Sequence, residues 1–79
     1  MENPSHFLQN ALNRTVLIRL KDSRILRGRL SGFDEHLNLV LEGTQETTGE
    51  LSRHLGLVVV RGNQVVSVVA PDLGGKGTT

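Results

Sequence analysis

Two glycines, Gly28 and Gly32, interrupt a stretch from Ile25 to Phe33 that otherwise alternates like a strand, with Leu26 and Leu30 set for one face. Glycine inside a strand packs no side chain and costs chain entropy, so it belongs where the strand bulges, turns a barrel corner or passes close to another backbone. The pair predicts a small, strongly curved sheet. Upstream, Val16, Ile18 and Leu20 alternate with Leu17, Arg19 and Lys21, which reads as a first strand from Thr15, joined to the next by a tight turn at Asp22-Ser23. Before it, Phe7, Leu8, Ala11 and Leu12 share one face of a short helix over 6–12, with Asn3 or Ser5 as N-cap. A third strand is predicted from about Leu37 to Thr44, with Leu37, Leu39 and Leu41 on the core face and His36, Asn38 and Val40 on the other. The polar segment Thr44 to Arg53 reads as an exposed, mobile loop or as the tips of a long hairpin. Two Val-rich strands, 55–60 and 64–70, flank Arg61-Gly62-Asn63, where Gly-Asn signals a hairpin, and Pro71 ends the pairing. One helix followed by five short strands makes a mainly β domain over 1–71, an open antiparallel barrel. Residues 72–79, rich in Gly, are expected to be a disordered tail.

At 79 residues the chain is one domain with a thin core, since a chain this short buries only about 60% of the surface its unfolded form exposes. Small domains add disulfides, a metal or oligomerisation, and the absence of cysteine removes disulfides and thiolate metal sites. Oligomerisation remains. The last two strands are nearly uncharged and Val-rich, and pairing their edges with another copy would keep them from water; head-to-tail pairing of that kind closes into a ring. No signal peptide is evident, and the longest apolar run, around Leu55 to Val60, is far short of the roughly 18 residues that span a bilayer. The expectation is a soluble, cytoplasmic protein with no membrane partner. Net charge is only +1, so the sum announces no polyanion partner; placement says more, with Arg14, Arg19, Lys21, Arg24, Arg27 and Arg29 crowding the first half.

The chemistry concentrates in two distant stretches, 32–39 and 60–63. They hold an imidazole (His36), a carboxamide (Asn38) and a guanidinium (Arg61) at strand ends. Flat groups stack on a base, and an amide presents a donor beside an acceptor, so these are the parts of a pocket for one unpaired base. Three other readings compete. His36 and Asn38 could merely cap a turn. Asp34-Glu35-His36 could join His54 or His6 as metal ligands, although two ligands in one loop rarely make a site. The domain could also be a structural ring scaffold for protein partners without direct base recognition. No activated nucleophile is evident, so neither an enzyme nor a cofactor is expected.

The same residues resemble the Sm-like (Lsm) family over about Leu12 to Pro71. Val16 to Gly43 is similar to the first Sm motif, with Gly28, Gly32-Phe33-Asp34, His36, Asn38 and Leu39-Val40-Leu41 in place; Leu55 to Val69, built around Arg61-Gly62, is similar to the second. Both in order, joined by a variable loop, are specific, and the short form looks most like the archaeal homo-oligomeric members. The resemblance implies an N-terminal helix on a five-stranded bent sheet and a homo-oligomeric ring, a heptamer in preference to a hexamer. It implies binding of uridine-rich single-stranded RNA near a central pore, in RNA processing or as an RNA chaperone or ribonucleoprotein core. His36 and Arg61 would sandwich the base, Asn38 would bond its edge, Asp34 would orient the loop, and Gly62 and Asn63 would add contacts. Three positions depart from the pattern: Ser23 where Gly is frequent, Leu37 where Met is common, and Asn63 in place of Asp, which removes one carboxylate and leaves Arg61 one fewer candidate partner. An amide can turn over to suit cytosine as well as uracil, so a neighbour must pin Asn38; a backbone group near Asn63, or Asp34, is expected to do so.

Overall fold

A computed structural model describes residues 3–73 and 77–78. Helix α1 (Pro4–Ala11) opens the chain: the Asn3 side chain accepts the Ser5 N–H at 2.9 Å, and Pro4 takes the first turn, where a missing N–H costs nothing. Of the two candidate caps, Asn3 is the one used. Phe7, Leu8 and Ala11 are buried and close one end of the core.

The strands are β1 (Thr15–Leu20), β2 (Ile25–Phe33), β3 (Leu39–Thr48), β4 (Leu51–Val60), β5 (Val65–Val69) and a two-residue β6 (Gly77–Thr78). They form one antiparallel sheet in the order β4-β3-β2-β1-β5-β6. Core-facing Val16, Ile18, Leu20, Leu26, Leu30, Leu39 and Leu41, as the alternation anticipates, fill its concave side together with Val60 and Val68. Curvature enters at register shifts in β2 next to Gly28 and between Leu30 and Gly32. At Gly28 a Cβ would come 3.0 Å from Thr44 Oγ1 and 3.1 Å from the Glu42 carbonyl oxygen, so β3 crosses so closely that a side chain there would require β3 to give by a few tenths of an ångström. The turn between β1 and β2 is closed by Leu20 N–H to the Arg24 carbonyl (2.9 Å), with Ser23 at φ 76, a left-handed conformation that costs a non-glycine residue about 1 kcal/mol or more.

Two strand expectations need correction. The third strand starts at Leu39, not Leu37: Asp34 to Asn38 form a turn in which Leu37 sits at φ 62, packed against the edge of the core. Of the two readings of the polar segment 44–53, the long hairpin is the one the chain adopts, because β3 and β4 pair out to Thr48 and Leu51. Strands β4 and β5 are not a hairpin; a 3-10 turn over Gly62–Gln64 carries the chain across the barrel mouth, and β5 pairs with β1. A hairpin would need the two strands side by side, whereas β3, β2 and β1 lie between them in the sheet. Within 72–79, Asp72 and Leu73 belong to the 3-10 turn Pro71–Leu73 and Gly77–Thr78 pairs with Val69 and Val68 of β5; residues 74–76 and 79 lie outside the described residues.

Glu46, part of that polar segment, points inward with its side chain only 6% exposed. Its carboxylate takes Arg24 Nη1 at 2.8 Å and Arg53 Nε at 2.8 Å, and Arg24 Nε also holds Asp22 at 2.8 Å, which ties the β3–β4 hairpin to the β1–β2 turn. The Arg53 and Arg24 bonds hold the Glu46 carboxyl below its ordinary pKa. A depressed carboxylate pKa stabilises the fold at pH values above the unfolded group's pKa, and that stability is lost as pH falls through the folded value. Glu46→Gln is therefore expected to lower the urea midpoint at neutral pH and to flatten the decline in acid; an unchanged acid limb would assign that decline elsewhere.

Candidate nucleic-acid interface

Two connections meet at one end of the sheet. The β2–β3 turn is organised by Asp34, whose Oδ1 accepts the N–H groups of His36 (2.9 Å) and Asn38 (3.0 Å) and whose Oδ2 accepts Asn38 Nδ2 (2.9 Å). Backbone bonds from Leu37 to Asp34 and from Asp34 to Asn38 complete it, at 3.0 and 3.2 Å. This network holds Leu37 in its left-handed conformation. The Asn38 side chain, Asn38 backbone and His36 backbone bonds lower the Asp34 pKa, so the group stays an ionised acceptor through mild acid.

The β4–β5 connection crosses directly over this turn. Gly62 N–H donates to Asn38 Oδ1 at 2.8 Å. A Cβ on Gly62 would collide with the His36 carbonyl oxygen and lie 2.9 Å from that of Leu37, so only glycine permits the crossing. Asn38 is thus gripped at both ends of its amide by groups that cannot exchange roles: a backbone N–H only donates and a carboxylate only accepts. The amide orientation is fixed, by both of the neighbours anticipated from sequence, and Oδ1 and Nδ2 each keep one hydrogen-bonding valence side by side.

Asp34, His36, Asn38, Arg61 and Asn63 line a common cavity of about 720 Å³ at this crossing. Gly62 lies behind Asn38 as its backbone donor. His36 and Arg61 are exposed, and neither is consumed elsewhere: the imidazole approaches only the Glu35 carboxylate, at 3.7 Å, and Arg61 has no ion pair among the described residues. Asn63 lines the cavity as a neutral amide beside the Arg61 guanidinium. The cavity also takes in Gly32, Phe33, Val40 and Val59, which the sequence reading did not assign to the site. Val40 and Val59 are directly paired across β3 and β4, and their phase opposite to Leu39, Leu41 and Val60 was the available signal. Among the described residues no three His, Cys, Asp or Glu side chains gather as a metal site, so Asp34, Glu35 and His36 do not converge with His54 or His6.

Residues 6–70 match the family described as LSM domain. The chain belongs to the LSM family. Its similarity to an Sm-like protein of Methanococcoides burtonii is 48% identity over 66 residues, covering 82% of this chain and 92% of that protein. Among solved structures it is similar to the P. aerophilum SmAP1 heptamer, with a TM-score of 0.82 and 34% identity over 89% of this chain and 95% of the other. The Pyrococcus abyssii Sm protein in complex with a uridine heptamer matches with a TM-score of 0.79 and 37% identity, covering 85% of this chain and 96% of that one. The LSM fold of these neighbours is the short helix and bent antiparallel sheet described above.

Proposed function

We propose that this protein assembles into a homo-oligomeric ring that binds uridine-rich single-stranded RNA, one base per subunit. The observation that carries the reading is the doubly pinned Asn38 amide in a cavity shared with His36 and Arg61. Its remaining N–H and lone pair complement a carbonyl oxygen beside the N3–H of uracil. Cytosine presents the reverse order at N4 and N3. Turning the amide over to suit it would set Nδ2 against the Gly62 N–H and Oδ1 against the Asp34 carboxylate, and each unmade bond costs about 1–3 kcal/mol. The imidazole and the guanidinium supply the stacking faces, which tolerate any base and so set affinity rather than choice.

A ring follows from the edges. Strand β4 borders one side of the open barrel and β5, flanked by the two-residue β6 at Val68 and Val69, lies at the other, and Leu57 and Val59 on β4 are 71% and 68% exposed. Exposed apolar edge strands are covered by pairing, and β4 of one copy against β5 of the next is head-to-tail. The solved heptamer to which the chain is similar supports this assembly, and the neighbour bound to a uridine heptamer supports the ligand. In this assembly Gly77–Thr78 gives up the β5 edge to the incoming strand. We assign the protein to ribonucleoprotein or RNA-processing work in the cytoplasm, as a binding module and not an enzyme. Among the described residues no helix is long and apolar enough to cross a membrane.

Native mass spectrometry with heptauridine and heptacytidine tests the reading. A closed multimer is expected to take up heptauridine and to bind heptacytidine at least about tenfold more weakly. A single uridine nucleotide is expected to bind far more weakly than the heptamer, because linked bases make later contacts intramolecular. A monomer, or equal affinity for the two heptamers, overturns it.

A further inference from the structure

We propose that the outward face of β1 and β2 is a second RNA contact, holding phosphates of the strand that continues beyond the uridine-filled pocket; the proposal rests on the ring reading above. Arg19 on β1 and Arg27 and Arg29 on β2 share this face, because Ile18, Leu26, Gly28 and Leu30 take the buried phase between them. Arg27 stands opposite Leu17 and Arg29 opposite Thr15, which puts Arg19 diagonal to Arg27. Neighbours two apart on a strand, or diagonal across a pair, are about 7 Å apart. The three guanidiniums form a short cationic ladder.

Their partners differ. Arg29 is held by Asn13 Oδ1 at 3.1 Å and by the Glu42 carboxylate. Arg19 and Arg27 have no ion-pair partner among the described residues. Three arginines therefore face one glutamate. Beside Arg27 and Arg29, where the β2–β3 register shifts, a cleft of about 590 Å³ opens, with Gln45 and Thr15 at its wall. Phe7 and Phe33 lie elsewhere and no histidine borders the cleft, so no aromatic ring is there to sandwich a base against a guanidinium. Guanidinium forks without stacking platforms match phosphate oxygens and read no sequence.

The place suits a strand already anchored. Gly32 borders the base cavity and Arg27 lies five residues earlier on the same strand, a separation of about 17 Å, so different nucleotides of one chain would reach the two sites. Assembly through β4 and β5 leaves the β1–β2 face open.

The test compares wild type with Arg19→Ala/Arg27→Ala, each as the assembled ring, on heptauridine and on a longer RNA carrying that heptamer between uridine-free flanks, over a series of salt concentrations. The double variant is expected to hold heptauridine within about twofold of wild type, and to bind the longer RNA about tenfold more weakly with a shallower salt dependence, by about 0.7 in log–log slope per lost phosphate. Arg27→Gln alone should shift the longer RNA in the same direction. Unchanged binding of the longer RNA overturns the second contact while leaving the base pocket standing. Equal weakening of both RNAs overturns it too, by assigning the arginines to assembly or general field. A wild-type ring that binds neither RNA defeats the base pocket and this face with it.

Discussion

Alanine at both His36 and Arg61 is expected to abolish oligouridine binding and leave the mass of the assembled ring unchanged. Each stacked base contributes about 1–3 kcal/mol, and a strand that occupies several pockets loses that amount at each, so the affinity is expected to drop by about a thousandfold or more. The fold should not notice. Asp34 grips the backbone N–H of His36, not its imidazole, so the turn keeps its shape when the ring is removed. Arg61 has no ion pair among the described residues, and both side chains are exposed, so stability is expected to stay within about 0.5 kcal/mol of wild type. Native mass spectrometry and an oligouridine titration on the same preparation separate the two effects. Retained RNA affinity would favour a ring that serves as a scaffold for proteins; a disassembled ring would place these residues at the subunit contact instead.

The parts of this fold legible in the sequence are those where local pattern and tertiary demand agree. Alternation located β2 to the residue and β1 to within one residue at its end, because one face of each is core and nothing else competes. The helix start was less sharp: the sequence offered Asn3 or Ser5 as cap to a helix over 6–12, and the chain caps with Asn3 and begins the helix at Pro4. What the pattern hid was long-range pairing. Gly62-Asn63 has the composition of a hairpin turn, yet the partner of β5 is β1, some 48 residues earlier, and no local rule carries that information. Glu46 read as solvated because its two arginines, at 24 and 53, meet it only after the hairpin folds over the first turn. At the candidate site the residue types stood out in the sequence, and the structure brings Asp34, His36, Asn38, Arg61 and Asn63 to one cavity. The grip on Asn38 was readable only as a requirement: the amide needed fixing, and which atoms fix it depends on how two loops 24 residues apart cross.

That crossing makes Gly62→Ala the most damaging small substitution expected in the chain. The added methyl would meet the backbone oxygens of His36 and Leu37 and the Leu37 carbonyl carbon at 3.0 Å, none of which can rotate aside as a side chain could. Relief requires one loop to lift off the other. The β2–β3 turn has little freedom to move, because Leu37 is already left-handed and is held there by the three bonds to Asp34. Lifting the other loop instead breaks the bond from Gly62 N–H to Asn38 Oδ1, so the amide loses the partner that forbids its rotation. Overpacking against backbone costs about 3 kcal/mol, a large part of what a domain this small has to lose. Urea denaturation should show that loss, and uridine should give up its advantage over cytidine although no side chain touching the base has changed. Asn38→Ala separates the two consequences: it removes the edge contact and leaves Gly62 N–H without its acceptor, yet introduces no collision, so base selectivity should vanish with a smaller drop in stability. If Gly62→Ala were as stable and as selective as wild type, the two loops would not be in contact, and the fixed amide on which base choice depends would have no physical basis.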